Sequence, residues 1–280
     1  MTTITAKAVQ ELREKTQAGM MDCKKALQES NGDFDAAVKY LREKGLAAAA
    51  KRADRSASQG IIDIKYNESK TGAVMFELNS ETDFVARNDK FRALLNQLLD
   101  HVLAKQPKDI AELETQDFDG TQKVADLVTN AIAVIGENII ARRFALFNAV
   151  AGNQIESYIH MGGTIGVLVE LPAKTDKALA KDIAMHIAAA APQYLDRTAV
   201  DKAHLDSEKD IYKNQLLQDE KNKSKPANIL EKIVEGKVNK FYEEVCLMEQ
   251  AFIKDPDKKI KDILPEGVSI TRFARFQLGA

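Results

Sequence analysis

Ile139–Asn148 reads IIARRFALFN and Ser269–Leu278 reads SITRFARFQL. Both read as strands and closely resemble each other, and one strand occurring twice is the mark of a repeated unit. The same elements precede each copy. Before the first, Ile62, Ile64, Tyr66 and then Val74, Phe76, Leu78 alternate on either side of a turn from Asn67 to Gly72, which predicts a hairpin. Phe91, Leu94, Leu95, Leu98 and Val102 then mark one amphipathic helix, and Val124, Leu127, Val128, Ile132 and Ile135 a second after Thr121. Before the second copy come a strand pattern at Ile155–Ile159, a turn at His160-Met161-Gly162-Gly163, an apolar strand at Ile165–Leu171 and a helix after Asp176. Between that helix and the closing strand lies an insertion. There Ile211, Tyr212 and Leu216 share one helix, a Lys-Ser-Lys-Pro turn follows at 223–226, and Leu230, Ile233, Val234, Val238, Phe241 and Val245 share another. Two such helices predict an antiparallel, coiled-coil-like arm, because each apolar stripe needs the other.

Toward the N-terminus the period changes to that of helices. Thr5 caps a helix with Val9 and Leu12 inward before Gly19. Asp22 is placed to cap a second with Cys23, Ala26 and Leu27 inward, ended by Asn31-Gly32, and Asp33 caps a third with Phe34, Ala37, Val38 and Leu41 inward until Gly45 breaks it. The expected organisation is therefore α+β. It comprises a three-helix bundle over 1–45, a partly helical linker over 46–59, one core subdomain over 60–152 and a second over 153–280 with the helical insertion at about 195–245.

Composition narrows the function. A chain of 280 residues, 45% hydrophobic, can bury more than one core. A net charge of -2 with both signs interspersed gives no general attraction to nucleic acid or an acidic membrane, and no long charge-free span predicts a membrane crossing. Cys23 and Cys246 are far apart and fit a reducing compartment, so the expected location is the cytoplasm. His101, His160, His186 and His204 stand at no metal-ligand spacing, and no phosphate-cradling glycine loop leads into a helix, so no metal, cofactor or catalytic residue is expected. His186 shares a face with Leu179, Ile183 and Ile187, and Cys23 lies on an inward stripe; both read as core. The basic clusters Lys51-Arg52-Arg55, Arg142-Arg143 and Arg272-Arg275 lack interleaved aromatics and read as ion pairs or solvated faces.

Two segments are odd as plain structure. In ELNSETDFVARND, Glu77–Asp89, Phe84 stands seven residues before Phe91, so a continuous helix would place it in the core. Alternatively Asn88 caps the long helix and leaves Thr82-Asp83-Phe84-Val85 as a turn with an aromatic at its tip. Met20-Met21 can equally be core or an adaptable contact surface.

LREKTQAGMMDCKKAL, Leu12–Leu27, and ELNSETDFVAR, Glu77–Arg87, resemble the two signature stretches of the elongation factor Ts family. IGENIIARR, the His160 turn before IGVLVE, IAMHIAAAAP and ILEKIVEGKVNKF are similar to that family too, so the resemblance runs along essentially the whole chain. It implies a guanine-nucleotide exchange factor for elongation factor Tu, with a ubiquitin-associated-like bundle, two related core subdomains and a protruding coiled coil. It also implies that Thr82, Asp83, Phe84 and Val85 intrude beside the partner's Mg²⁺ and nucleotide. Met20 and Met21 would then lie against the partner's nucleotide domain, and His160 would approach its phosphate-loop region or a neighbouring domain. A homodimer within a larger complex is compatible with it. Some family members continue into a further amphipathic helix, whereas this chain stops at Gly279-Ala280. A general peptide-binding module and an enzyme are the readings from other classes.

Overall fold

The computed structural model describes residues 4–16, 18–218 and 225–280. The chain is α+β, with small antiparallel sheets. Three helices lead: α1 (Ala6–Thr16), α2 (Met20–Glu29) and α3 (Phe34–Ala50). The Thr5 hydroxyl accepts the Ala8 N–H at 3.1 Å and the Asp33 carboxylate the Ala36 N–H at 2.9 Å, satisfying donors that a helix start leaves open. Val9, Leu12, Cys23, Leu27 and Ala37 are buried together, with Phe34, Val38 and Leu41 packed around them.

Two expectations about these helices fail. The second helix starts at Met20 with Gly19 as its cap, so Asp22 sits in the first turn, where it complements the helix dipole and pairs with Lys44. Gly45 does not break the third helix, which runs on to Ala50. A mid-helix glycine costs about 1 kcal/mol. Here Gly45 is buried against Asn130 and Ala133 of α7 (Val124–Ile135), Arg42 pairs with Asp126 at 2.7 Å, and an alanine run continues the helix.

Next come β1 (Gln59–Tyr66) and β2 (Gly72–Ser80), the short α4 (Asp83–Ala86), α5 (Asp89–Lys105), α6 (Ile110–Thr115), α7 and β3 (Ile139–Asn148). The sheet is antiparallel in the order β1-β2-β3. Val74, Phe76 and Leu78 point to a core shared with Phe91, Leu94, Leu95, Leu98, Val102 and Ile132. The opposite face of β2 is buried as well, against the simple alternation the sequence suggests. A Cβ on Gly166 would stand 2.6 Å from Ile62 Cγ2 and 2.7 Å from Met75 Sδ, so the segment covering that face needs the missing side chain.

Beyond these, apart from two 3-10 turns at Arg197–Ala199 and Leu247–Glu249, come β4 (Asn153–His160), β5 (Ile165–Pro172), α8 (Lys177–Ala190), α9 (Lys202–Gln218), α10 (Ala227–Val245), β6 (Ala251–Phe252), β7 (Asp255–Lys259), α11 (Ile260–Ile263) and β8 (Arg272–Gln277). A second sheet runs β4-β5-β8, and β6 pairs with β7. Along α9 and α10, Leu216, Val234 and Val238 are buried with Tyr212 and Ile233 beside them. Ile211, expected on that seam, is 44% exposed, because one residue's step around a helix turns it away from Tyr212. In the turn expected at 223–226, residues 223 and 224 lie outside the described residues, and Pro226 caps α10.

Matching details occur in both halves. Glu77 on β2 is fully buried and accepts from Arg143 of β3 at 2.7 Å; Glu170 on β5 is fully buried and accepts from Arg272 of β8 at 2.7 Å. A bulge between Glu77 and Leu78 brings Arg142 to the same carboxylate, at 3.8 Å. His101 of α5 bonds Gln116 at 2.9 Å beside Phe118, and His186 of α8 bonds Gln250 at 3.0 Å beside Phe252. By contacts the chain divides into two units. One runs to Asn148 and adds Ile159–Gly166 and Phe276–Ala280; the other comprises Ala149–Tyr158 and Val167–Arg275. Among the described residues no helix is long and apolar enough to cross a membrane.

Candidate functional site

Of the two readings of Phe84, the structure adopts the second. The Asn88 carboxamide accepts the Lys90 N–H at 2.9 Å and caps α5, so the chain before it is free to take another direction. It forms the single-turn α4, closed by N–H groups of Arg87 and Asn88 on the carbonyls of Phe84 and Val85 at 3.2 and 2.9 Å. Ala86 is buried and Val85 packs on the core around Phe91, which leaves Phe84 on the outer side, 79% exposed. An aromatic ring so open to water has most of its apolar area still to bury.

The backbone behind the ring is braced. The Ser80 hydroxyl donates to the Thr82 carbonyl at 2.9 Å, and Glu137 accepts both the N–H and the hydroxyl of Thr82. Asn138 N–H donates to Glu81 at 2.7 Å, and Arg55 reaches the same carboxylate at 3.4 Å. Asp83 pairs with Arg87 at 3.3 Å, an exposed pair of the kind worth under about 1 kcal/mol, so its carboxylate remains open to other partners. Nothing in the apolar periodicity marks Glu137 and Asn138. Their only local signal is a glycine, Gly136, that ends α7 in the left-handed conformation at φ 91° and leaves two polar residues before a strand.

The other expected contact residues sit on other elements. Met20 and Met21, at the start of α2, are 56% and 72% exposed, so the bundle core does not use them. With Ile4, Val9 and Lys24 they line a groove along α1 and α2. His160 ends β4, where its carbonyl accepts the N–H groups of Gly163 and Thr164 at 3.1 and 3.2 Å; Met161 at the tip of this turn is 76% exposed.

The cysteines and His186 lie elsewhere. Cys23 and Cys246 are buried and free. Burial raises the thiol pKa of Cys23, and burial together with Glu249 pushes that of Cys246 up to about 11, so neither is poised as a thiolate. Burial lowers the pKa of His186, whose Nδ1 accepts the Ile253 N–H at 3.4 Å. The arginines are largely spent on internal partners: Arg52 on the Gly136 carbonyl, Arg143 on Glu77, Arg272 on Glu170 and Arg275 on the Ala188 carbonyl. Among the described residues no group of three or more His, Cys, Asp or Glu is placed to hold a metal ion.

An exposed ring on a braced turn and exposed methionines thus lie on the same unit of an α+β protein. The family model described as Elongation factor TS matches residues 81–280, taking in the turn, the His160 hairpin and everything beyond. The chain belongs to the elongation factor Ts family, which implies a nucleotide-exchange role in translation elongation.

Proposed function

We propose that this chain binds elongation factor Tu and releases its GDP by disturbing the partner's Mg²⁺ and phosphate site, so that GTP rebinds. The observation that carries this reading is Phe84, 79% exposed on a turn whose backbone is held from behind. A nucleotide bound at nanomolar affinity is held by about 12 kcal/mol, whereas burying one Phe side chain yields about 1.5–3 kcal/mol. One ring is therefore insufficient, and the interface must be distributed. Coupling between exchange factor and nucleotide is reciprocal, so the factor binds the empty partner more tightly than the loaded one by the factor with which it weakens the nucleotide.

In this reading the bundle and two related core subdomains supply the platform, beside a coiled-coil arm formed by α9 and α10. Met20 and Met21 lie on the nucleotide domain, and His160 approaches the phosphate-loop side or the adjoining domain. Thr82, Asp83, Phe84 and Val85 form the intruding turn, Phe84 is the wedge, and Asp83 helps hold the turn and perturbs the metal's surroundings. The protein does no covalent chemistry of its own and works in the cytoplasm, and no step needs nucleic acid or a second copy of the chain. The test is release of labelled GDP from purified elongation factor Tu with excess unlabelled nucleotide. Acceleration by substoichiometric amounts of this chain is expected, and release at the unassisted rate would refute the reading.

A further inference from the structure

Phe84 projects from a helix of four residues, and a single turn has too few internal hydrogen bonds to hold its own direction. The restraint comes from a residue 55 positions away. Glu137 Oε2 accepts the Thr82 N–H at 3.0 Å and Oε1 accepts the Thr82 hydroxyl at 2.7 Å. Thr82 occupies the N-cap position of α4 yet makes no side-chain capping bond, its hydroxyl being turned to Glu137 instead. The next residue locks the other side of the joint: Asn138, 4% exposed, donates its N–H to Glu81 at 2.7 Å and its side-chain amide to the Arg55 carbonyl at 2.8 Å. A carboxylate accepting two bonds makes charge-assisted contacts, roughly twice as strong as neutral ones.

We propose that Glu137 is a positioning residue for nucleotide exchange. It aims Phe84 by clamping Thr82 and does not itself touch the partner. This rests on the exchange function proposed above.

Glu137→Gln retains one acceptor oxygen and replaces the other with a donor group, so one of the two bonds to Thr82 is lost. The expected result is a GDP-release rate at saturating factor about tenfold lower, with the half-saturating concentration nearly unchanged, because the platform is intact. Thermal unfolding of the variant shows whether it is folded; if it is not, Thr82→Val, which removes only the hydroxyl donor, carries the same prediction of slower release. The deciding measurement is made in a Phe84→Ala background. If Glu137 works through the ring, adding Glu137→Gln there slows release no further. An equal slowing in both backgrounds would mean that Glu137 merely supports the fold, and would overturn the inference. So would an unchanged rate in a folded Glu137→Gln protein whose parent is active and whose Phe84→Ala variant is impaired; that pattern sinks the positioning role and spares the exchange function. A wild-type protein that accelerates nothing brings both down together.

Discussion

Replacing Phe84 with alanine separates the work of the ring from the stability of the fold. Because 79% of Phe84 is already in water, truncating it removes little folded-state packing, and the expected loss of stability is within about 0.5 kcal/mol. Phe76 on β2 is fully buried, and Phe76→Ala is expected to cost about 3–5 kcal/mol. The functional effect runs the other way. If the ring is buried as the nucleotide site opens, its loss forfeits about 1.5–3 kcal/mol of that step, a slowing of about ten- to a hundredfold. The assay is stopped-flow release of a fluorescent GDP from elongation factor Tu at several concentrations of factor. Saturating rate and half-saturating concentration are read separately, beside a thermal melt of each variant. A release rate equal to that of the parent would refute the wedge. A melting temperature lowered as far as in Phe76→Ala would refute the claim that the ring is free of the fold.

Two further outcomes follow from geometry away from the turn. Burial alone would raise the pKa of Glu249, but hydrogen bonds from Arg197, Lys261 and Lys259 bring it down to about 2 from the ordinary 4.5. The unfolded chain therefore takes up this proton first as the pH falls. The stabilisation is complete above about pH 4.5 and drains away toward pH 2. Glu249→Gln is expected to flatten the dependence of melting temperature on pH in that window; parallel curves for variant and parent would show that this carboxylate is not responsible. Gly166→Ala introduces a methyl within 2.6 Å of Ile62 and 2.7 Å of Met75 and is expected to destabilise by about 1–3 kcal/mol through overpacking. A neutral melt would refute close packing of this segment on the sheet.

Local periodicity determined most of the elements. The apolar spacing of α5 and α10, the matching strand segments of β3 and β8, and the caps at Thr5, Asp33, Asn88 and Asp176 are written in neighbouring residues, because helix and strand are short-range arrangements. Motif resemblance pointed to the Thr82–Val85 stretch as well, though the residues alone left Phe84 equally compatible with the core. Its exposure was decided by contacts between parts distant in the chain: Val85 and Ala86 on the core that includes Ile61 of β1 and Phe76 of β2, and Glu137 on Thr82. The same holds for Gly45, which stays helical because α7 packs on it, and for β2, which is buried on both faces because residues far along the chain cover the second one. A pattern of a few residues records which side of an element is apolar. What comes to lie on that side, and which polar pair closes a gap of dozens of residues, depends on how the whole chain packs.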